Sequence, residues 1–311
     1  MNKILITGGA GNVGGSLARK LVNDPGNYVV IVDNLITGST SKLPGDEHKN
    51  WKFIKADIND FSQISTIMLS YKFNFVFHYA AIVGVLRTLE NPHMVLNDIQ
   101  GIKNILELSK NTGVQRVFYS SSSEVYGEPV SFPQHEETTP LNSRLPYAIV
   151  KNVGEAFFRT FYHEYNLEYT VFRFFNTYGP SQSEDFVVPK FLKKCLENKD
   201  ITIYGDGSQT RTFCYVDDNI DATIGALNTD KAVNQTINIG NDVEITILDL
   251  AKLCVEKTDS KSKIVFLPPL KEGDMTRRKP DISKMREILN RPLVSLDQGI
   301  DKMLNYYLRK A

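Results

Sequence analysis

The stretch "KILITGGAGNVGGSLARKLVN" (3–23) constrains the fold more than any other part of the chain. "KILIT" (3–7) has the unbroken apolar character of a strand buried on both faces. Residues 12–23 place Val13, Leu17 and Leu21 on one helical face. Between them Gly8, Gly11 and Gly14 stand in the spacing G-x-x-G-x-x-G. Each glycine has a mechanical reason: a tight turn, close backbone approach to a diphosphate, and close packing of helix on strand. The helix start, at Asn12 and Val13, offers free N–H groups and a partial positive charge to phosphates.

The strand–helix alternation continues. "YVVIVD" (28–33), "KFIKAD" (52–57), "NFVFHYA" (74–80), "RVFYSS" (116–121) and "YTVFRFF" (169–175) follow at intervals that leave room for helices. Such alternation implies right-handed parallel crossovers, and hence a doubly wound α/β parallel sheet of the Rossmann type. After residue 175 the elements shorten. "FVVPKFLKKCLENK" reads as a helix after Pro189, "ITIYGDG" as a short strand, and "ITILDLAKLCVEK" as a helix opened by Thr246. The expected organisation is a sheet domain over 1–175, which also receives 212–240, and a smaller, discontinuous C-terminal α/β substrate lobe over 176–311.

Asp33 closes the second strand, where a carboxylate takes both hydroxyls of an adenosine ribose and repels a 2′-phosphate, favouring NAD over NADP. The bland reading is a turn cap shared with Asn34. Asp57, closing the third strand, is placed to accept from an adenine amino group. Tyr147 and Lys151 in "PYAIVKNVGEAFF" (146–158) are four apart and share a helix face. A free phenol, with pKa about 10, is a poor base at neutral pH. A neighbouring ammonium and an oxidised nicotinamide both favour the phenolate, so a lowered phenol pKa is expected. "SSSSEVYG" (120–127) lies at the carboxyl end of the preceding strand, where open α/β sheets gather ligands.

Charge and cysteine usage exclude other classes. Thirty-six basic and 36 acidic residues give a net charge of zero, so the chain has no electrostatic footprint for nucleic acid or an anionic membrane. No apolar run approaches the ~18 residues that span a bilayer. Cys195, Cys214 and Cys254 have no metal-site spacing and suggest reduced thiols in a cytoplasmic protein.

Taken together, "TGGAGNVGG", Asp33, "HYAA" (78–81), "SSSSEVYG", "YAIVK", "RFFNTYGP" (173–180), "VVPKF" (187–191) and "YGDGSQTRTFCYVDD" (204–218) resemble the extended short-chain dehydrogenase/reductases. The branch is that of NAD-dependent nucleotide-sugar epimerases, dehydratases and decarboxylases, and the likeness covers essentially the whole chain. The resemblance implies that Tyr147 is the base at a sugar hydroxyl, usually at C4, while the C4 hydride passes to NAD. Ser122 would bond the same oxygen, and Lys151 would hold the cofactor and tune Tyr147. Ile58, Ala80 and Ala81 would join Gly8, Gly11, Asn12, Val13, Gly14, Asp33, Asn34 and Asp57 around NAD. Asn176, the backbone at Val187–Val188, and Arg211 fall where the family grips the nucleotide diphosphate, with Arg277 or Arg278 as a second cation. Tyr204 falls near the nucleobase, and Arg87 near the sugar together with Ser122 and Ser123.

The branch shares C4 oxidation and differs afterwards. A 4,6-dehydratase needs an Asp–Glu pair where this chain has Ser123 and Glu124, and serine has no proton-transfer pKa to replace the acid. Decarboxylases of nucleotide glucuronates match Ser–Glu here, yet differ at Ala148, Ile149 and Val150 inside the Tyr-x-x-x-Lys motif. A 4-epimerase needs no further acid or base. The main expectation is a nucleotide-sugar 4-epimerase. The alternatives are a C4 dehydrogenase that passes on the keto sugar, a UDP-glucuronate decarboxylase, and a non-catalytic NAD-binding regulator. Helices at 97–111 and 147–166 pair between subunits in similar proteins, which implies a homodimer through a four-helix bundle.

Overall fold

The computed structural model describes residues 1–128, 130–269 and 277–310. Seven strands form its central sheet: β1 (Asn2–Thr7), β2 (Asn27–Asp33), β3 (Trp51–Lys55), β4 (Phe75–His78), β5 (Arg116–Ser122), β6 (Glu168–Phe174) and β7 (Gln235–Ile239). All pairings are parallel, in the order β7-β6-β5-β4-β1-β2-β3. The order reverses between β1 and β4, which opens a crevice at the carboxyl ends of those two strands.

The apolar runs have a simple reason: alternate residues of one strand feed two different cores. Ile4, Ile6, Val29, Ile31, Phe77, Phe118 and Phe172 face one layer, and Leu5, Val30, Val32, Val76, Val117 and Val171 the other. Phe77, Phe118 and Phe172 stack across three neighbouring strands. Helix α1 (Asn12–Leu21) covers the first layer with Leu17 and Ala18. On the second lie α2 (Phe61–Tyr71), α3 (Pro92–Thr112) and α4 (Pro146–Tyr165), through Ile64, Ile102, Ile105, Val150 and Phe158.

Beyond β6 the chain makes three two-stranded pieces. Thr177–Tyr178 pairs with Cys214–Tyr215, Thr210–Thr212 with Glu244–Thr246, and Ile201–Tyr204 with Ile264–Leu267. The helix expected after Pro189 starts earlier, at Val187. Pro189 sits in its first turn, where an N–H has no intrahelical acceptor to lose. Thr246 caps the helix Ile247–Thr258, its hydroxyl accepting from the Asp249 N–H, as expected.

Candidate active site

A cavity of about 520 Å³ opens along the carboxyl ends of the sheet. Its walls at one end are the turn between β1 and α1. Gly8 takes φ 68°, and a Cβ there would lie 2.6 Å from the Ala80 nitrogen; at Gly14 it would lie 2.5 Å from the Gly8 carbonyl oxygen. Gly11 differs: a Cβ there meets the Gly8 oxygen alone, at 3.1 Å, so its outer side is open. No side chain caps the start of α1, and its first turn carries no acid. These N–H groups are therefore available to an anion. Asn12 and Asn59, both in the cavity wall, each have a buried amide oxygen with no hydrogen-bond partner.

Asp33 serves the turn and the cavity together. Its carboxylate accepts from the Ala10 N–H at 3.0 Å and the Leu35 N–H at 2.8 Å. Asp57 accepts from Asn34 Nδ2 at 3.3 Å and from the Asn59 N–H at 2.9 Å, with Ile58 beside it. Ala80 and Ala81 follow β4 and line the opposite wall. The glycine cradle, the open helix end, the orphaned amides and the two carboxylates fit a dinucleotide.

In the middle of the cavity, α4 presents Tyr147 and Lys151 towards the end of β5. Lys151 is buried, and its ammonium donates to the Ser120 carbonyl at 2.6 Å. Its Nζ lies 5.8 Å from the centre of the Tyr147 ring. Burial brings the Lys151 pKa down to about 8, against the opposing pull of the Asp98 carboxylate. The expected lowering of the Tyr147 pKa is not met by the chain's own groups. Burial raises it, and the hydrogen bond with Ser122 only partly offsets that, with Glu124 and Asp98 adding to the rise. Desolvation of a phenolate outweighs one hydrogen bond.

Strand β5 runs through the serine row as far as Ser122, and a short 3₁₀ turn, Ser123–Tyr126, follows. This turn swings Glu124 into the cavity, where Arg278 donates to its carboxylate at 2.7 Å and approaches Ser123 Oγ at 3.4 Å. Arg278 is 5% exposed, while Glu124 is partly buried. The other Glu124 oxygen is buried without a partner.

Asn176, Val187 and Val188 also line the cavity, and the helix beginning at Val187 has neither side-chain cap nor acid in its first turn. Arg87 lies at the mouth and donates to Asp185 at 3.0 Å. Tyr204 and Arg211 do not reach the lining. Arg211 pairs in register with Ile245, its guanidinium turned back to the Thr210 carbonyl, and Tyr204 is half-exposed at its strand end. Arg277 is likewise drawn away, bonding both Glu244 oxygens at 2.6 and 2.7 Å.

Two charged lining residues escaped the sequence reading. Lys42 arrives from the loop after β2. Asp98 sits on the buried face of α3, interrupting the apolar series Val95, Ile102, Ile105, and accepts from the Ile82 N–H at 2.8 Å. A carboxylate inside an apolar helical stripe was the available signal.

Residues 4–240 match the model of the NAD dependent epimerase/dehydratase family. The chain belongs to that family. This family member is 34% identical over 317 residues to UDP-glucuronic acid decarboxylase 1 of Danio rerio, covering 99% of this chain and 73% of that one. It is 35% identical to a putative UDP-glucose 4-epimerase of Methanocaldococcus jannaschii, with 97% of each chain covered. Among solved structures, the UDP-glucose 4-epimerase of Thermotoga maritima with UDP-glucose superposes with a TM-score of 0.92 at 34% identity, covering 99% of both chains. The family member is thus an NAD-dependent enzyme of the extended short-chain dehydrogenase/reductase type, on a Rossmann-like sheet.

Proposed function

We propose that this enzyme oxidises C4 of a nucleotide-diphosphate sugar and returns the hydride to the other face, acting as a nucleotide-sugar 4-epimerase. The observation that carries the reading is the meeting of Tyr147, Ser122 and Lys151 in one cavity with the glycine turn. Bound NAD supplies the hydride acceptor for the oxidation and the donor for the return. Tyr147 takes the C4 hydroxyl proton at its phenol oxygen and gives it back when the ketone is reduced. Ser122, its hydrogen-bond partner, holds the same sugar oxygen. Lys151, charged below about pH 8, steadies the phenolate. Asn176 and the open helix end at Val187–Val188 suit the diphosphate. Epimerisation asks for nothing further.

A second reading is favoured by the Glu124–Arg278 pair. A guanidinium in the cavity wall suits a sugar carrying a carboxylate at C6. Once C4 is a ketone, that carboxylate is β to it. The C5–C6 bond then breaks with release of CO₂, its electron pair forms the enolate, C5 is reprotonated, and the C4 ketone takes back the hydride, so that the net loss is CO₂. Among the relatives, the Danio rerio protein is a UDP-glucuronic acid decarboxylase.

Incubation with UDP-, GDP-, CDP- and dTDP-sugars, followed by mass spectrometry and chromatography, separates the outcomes. An isomer of unchanged mass is expected. Loss of 44 Da, about one CO₂, establishes the second reading, and loss of two hydrogens a dehydrogenase that stops at the ketone. Failure to transform any nucleotide sugar defeats the proposal and leaves a non-catalytic NAD binder.

Two features support a homodimer. Helices α3 and α4 pack side by side and leave Leu96, Ile149, Tyr162 and Tyr165 40–46% exposed. Sedimentation at micromolar concentration should give twice the chain mass; a monomer refutes this. Cys195, Cys214 and Cys254 are buried and free, which supports a reducing compartment such as the cytoplasm. No described helix is long and apolar enough to cross a membrane.

A further inference from the structure

The 3₁₀ turn Ser123–Tyr126 ends in a residue that the chemistry above does not use. Tyr126 is buried, and its hydroxyl is the centre of a polar chain through the interior. On one side Arg173 of β6 donates to it at 2.8 Å. Arg173 is itself held by Glu155 of α4, through Nε at 2.9 Å and Nη2 at 2.8 Å, and Glu155 also accepts from Ser121 Oγ at 2.6 Å. Glu155 is one turn beyond Lys151 and two beyond Tyr147 on the same helical face. On the other side the Tyr126 hydroxyl donates to Asn238 Oδ1 of β7 at 2.8 Å.

Asn238, wholly buried, carries the chain on. Its amide donates to the Gln134 carbonyl at 2.9 Å and to the Asp281 carbonyl at 3.1 Å. Those two backbones are also joined directly: the Gln134 N–H donates to Lys279 at 2.7 Å, and the Asp281 N–H to Gln134 at 2.8 Å. The strap so held, 277–281, carries Arg278 into the cavity against Glu124. A continuous set of satisfied buried bonds thus runs from the helix of Tyr147 and Lys151 to the backbone beside Arg278. The side chains of Glu155, Arg173, Tyr126 and Asn238 are all bonded within it, and such a network in a low-dielectric interior is rigid and loses register when one member is removed.

We propose that the Glu155–Arg173–Tyr126–Asn238 chain is a positioning device that holds the Arg278 strap in register with the Tyr147–Lys151 helix. Asn238 is its pivot and acts on substrate through Arg278. The inference rests on the substrate reading above for its kinetic consequence, and on the hydrogen bonds alone for its structural one.

The test uses the full chain with its NAD, as wild type, Asn238→Ala, Arg278→Ala and the double variant. Tyr126→Phe serves in place of Asn238→Ala should that variant not fold. UDP-glucuronate and UDP-glucose are the probes. Asn238→Ala should raise KM about tenfold for the probe turned over, with kcat within about threefold and NAD content unchanged. The double variant should be no worse than Arg278→Ala alone, since both act through one group. In limited trypsin digestion, new N-termini at 278 and 279, from cuts after Arg277 and Arg278, should appear about tenfold faster in Asn238→Ala than in wild type. Multiplying effects in the double variant, or a fall in thermal midpoint with unchanged KM, overturns the proposal. So does unchanged cleavage at the strap. Absence of turnover with either probe counts against the substrate reading, and the trypsin result then decides the inference alone.

Discussion

At the cofactor end of the cavity, three glycines within seven residues and an acid at the next strand end make the wall. At the other end, the wall pairs Glu124 with Arg278, 154 residues away, by a strap pinned to β7. The first is built from backbone, the second from side chains brought by remote elements. A backbone cradle is encoded where it stands, because the turn itself needs glycine. A side-chain pair exists once strands have been ordered and loops have crossed. The comparison predicts that binding of the cofactor and reading of a sugar are separable, with Tyr147 and Lys151 at the seam.

Loss of the seam should have the largest effect. Tyr147→Phe removes the proposed proton acceptor and should lower turnover by about 10³-fold, equivalent to about 4 kcal/mol, with extracted NAD per chain unchanged. Turnover within tenfold of wild type would mean another base.

Next in size is the acid stability of the cofactor half. His78, buried at the end of β4, shares a 2.9 Å hydrogen bond with Thr7 Oγ1, and burial holds its pKa down at about 3. The folded state then binds fewer protons than the unfolded one between about pH 3 and 6.5. The stability from a neutral His78 is present above pH 6.5 and lost as pH falls, by about 3 kcal/mol at pH 4. Urea midpoints at pH 7 and pH 4 should show a smaller fall for His78→Asn.

Gly14→Ala tests the cradle directly. A methyl 2.5 Å from the Gly8 carbonyl must push the turn open, and retained NAD should fall by about 100-fold in affinity. Sugar-nucleotide binding, measured calorimetrically with UDP, should change less than threefold, which would show that the two ends are separable.

The smallest effect is expected at Asp98. Its carboxylate raises the Lys151 pKa, so Asp98→Asn should lower it further from about 8. The high-pH limb of kcat/KM, where the ammonium is lost, should move down by about one pH unit or less. A move upward would reverse the assignment of that limb.

The legibility of the chain follows the same division. Strand identities and the doubly wound sheet were readable because β1, β2, β4, β5 and β6 are largely buried on both faces, while β3 at the sheet edge is only partly covered. So were Tyr147 and Lys151, one helical turn apart, and the serine row at the end of β5. The placement of Tyr204 and Arg211 was not, since local likeness does not say which way a short strand turns its side chains. Arg277 and Arg278 are neighbours of identical chemistry, and nothing local separates them. Alternation across the strap sends one to Glu244 at the surface and the other to Glu124 inside.

The amino-acid sequence by itself determined the sheet, the glycine cradle and the shared helix face of Tyr147 and Lys151, because each rests on residues within one turn or one strand of each other. The tertiary structure alone decided the environment of those groups: a phenol raised by burial, a carboxylate from α3 beside Lys151, and a guanidinium in the cavity wall. Solvent exclusion and long-range charge depend on what lies across the cavity, and that is fixed when distant segments pack.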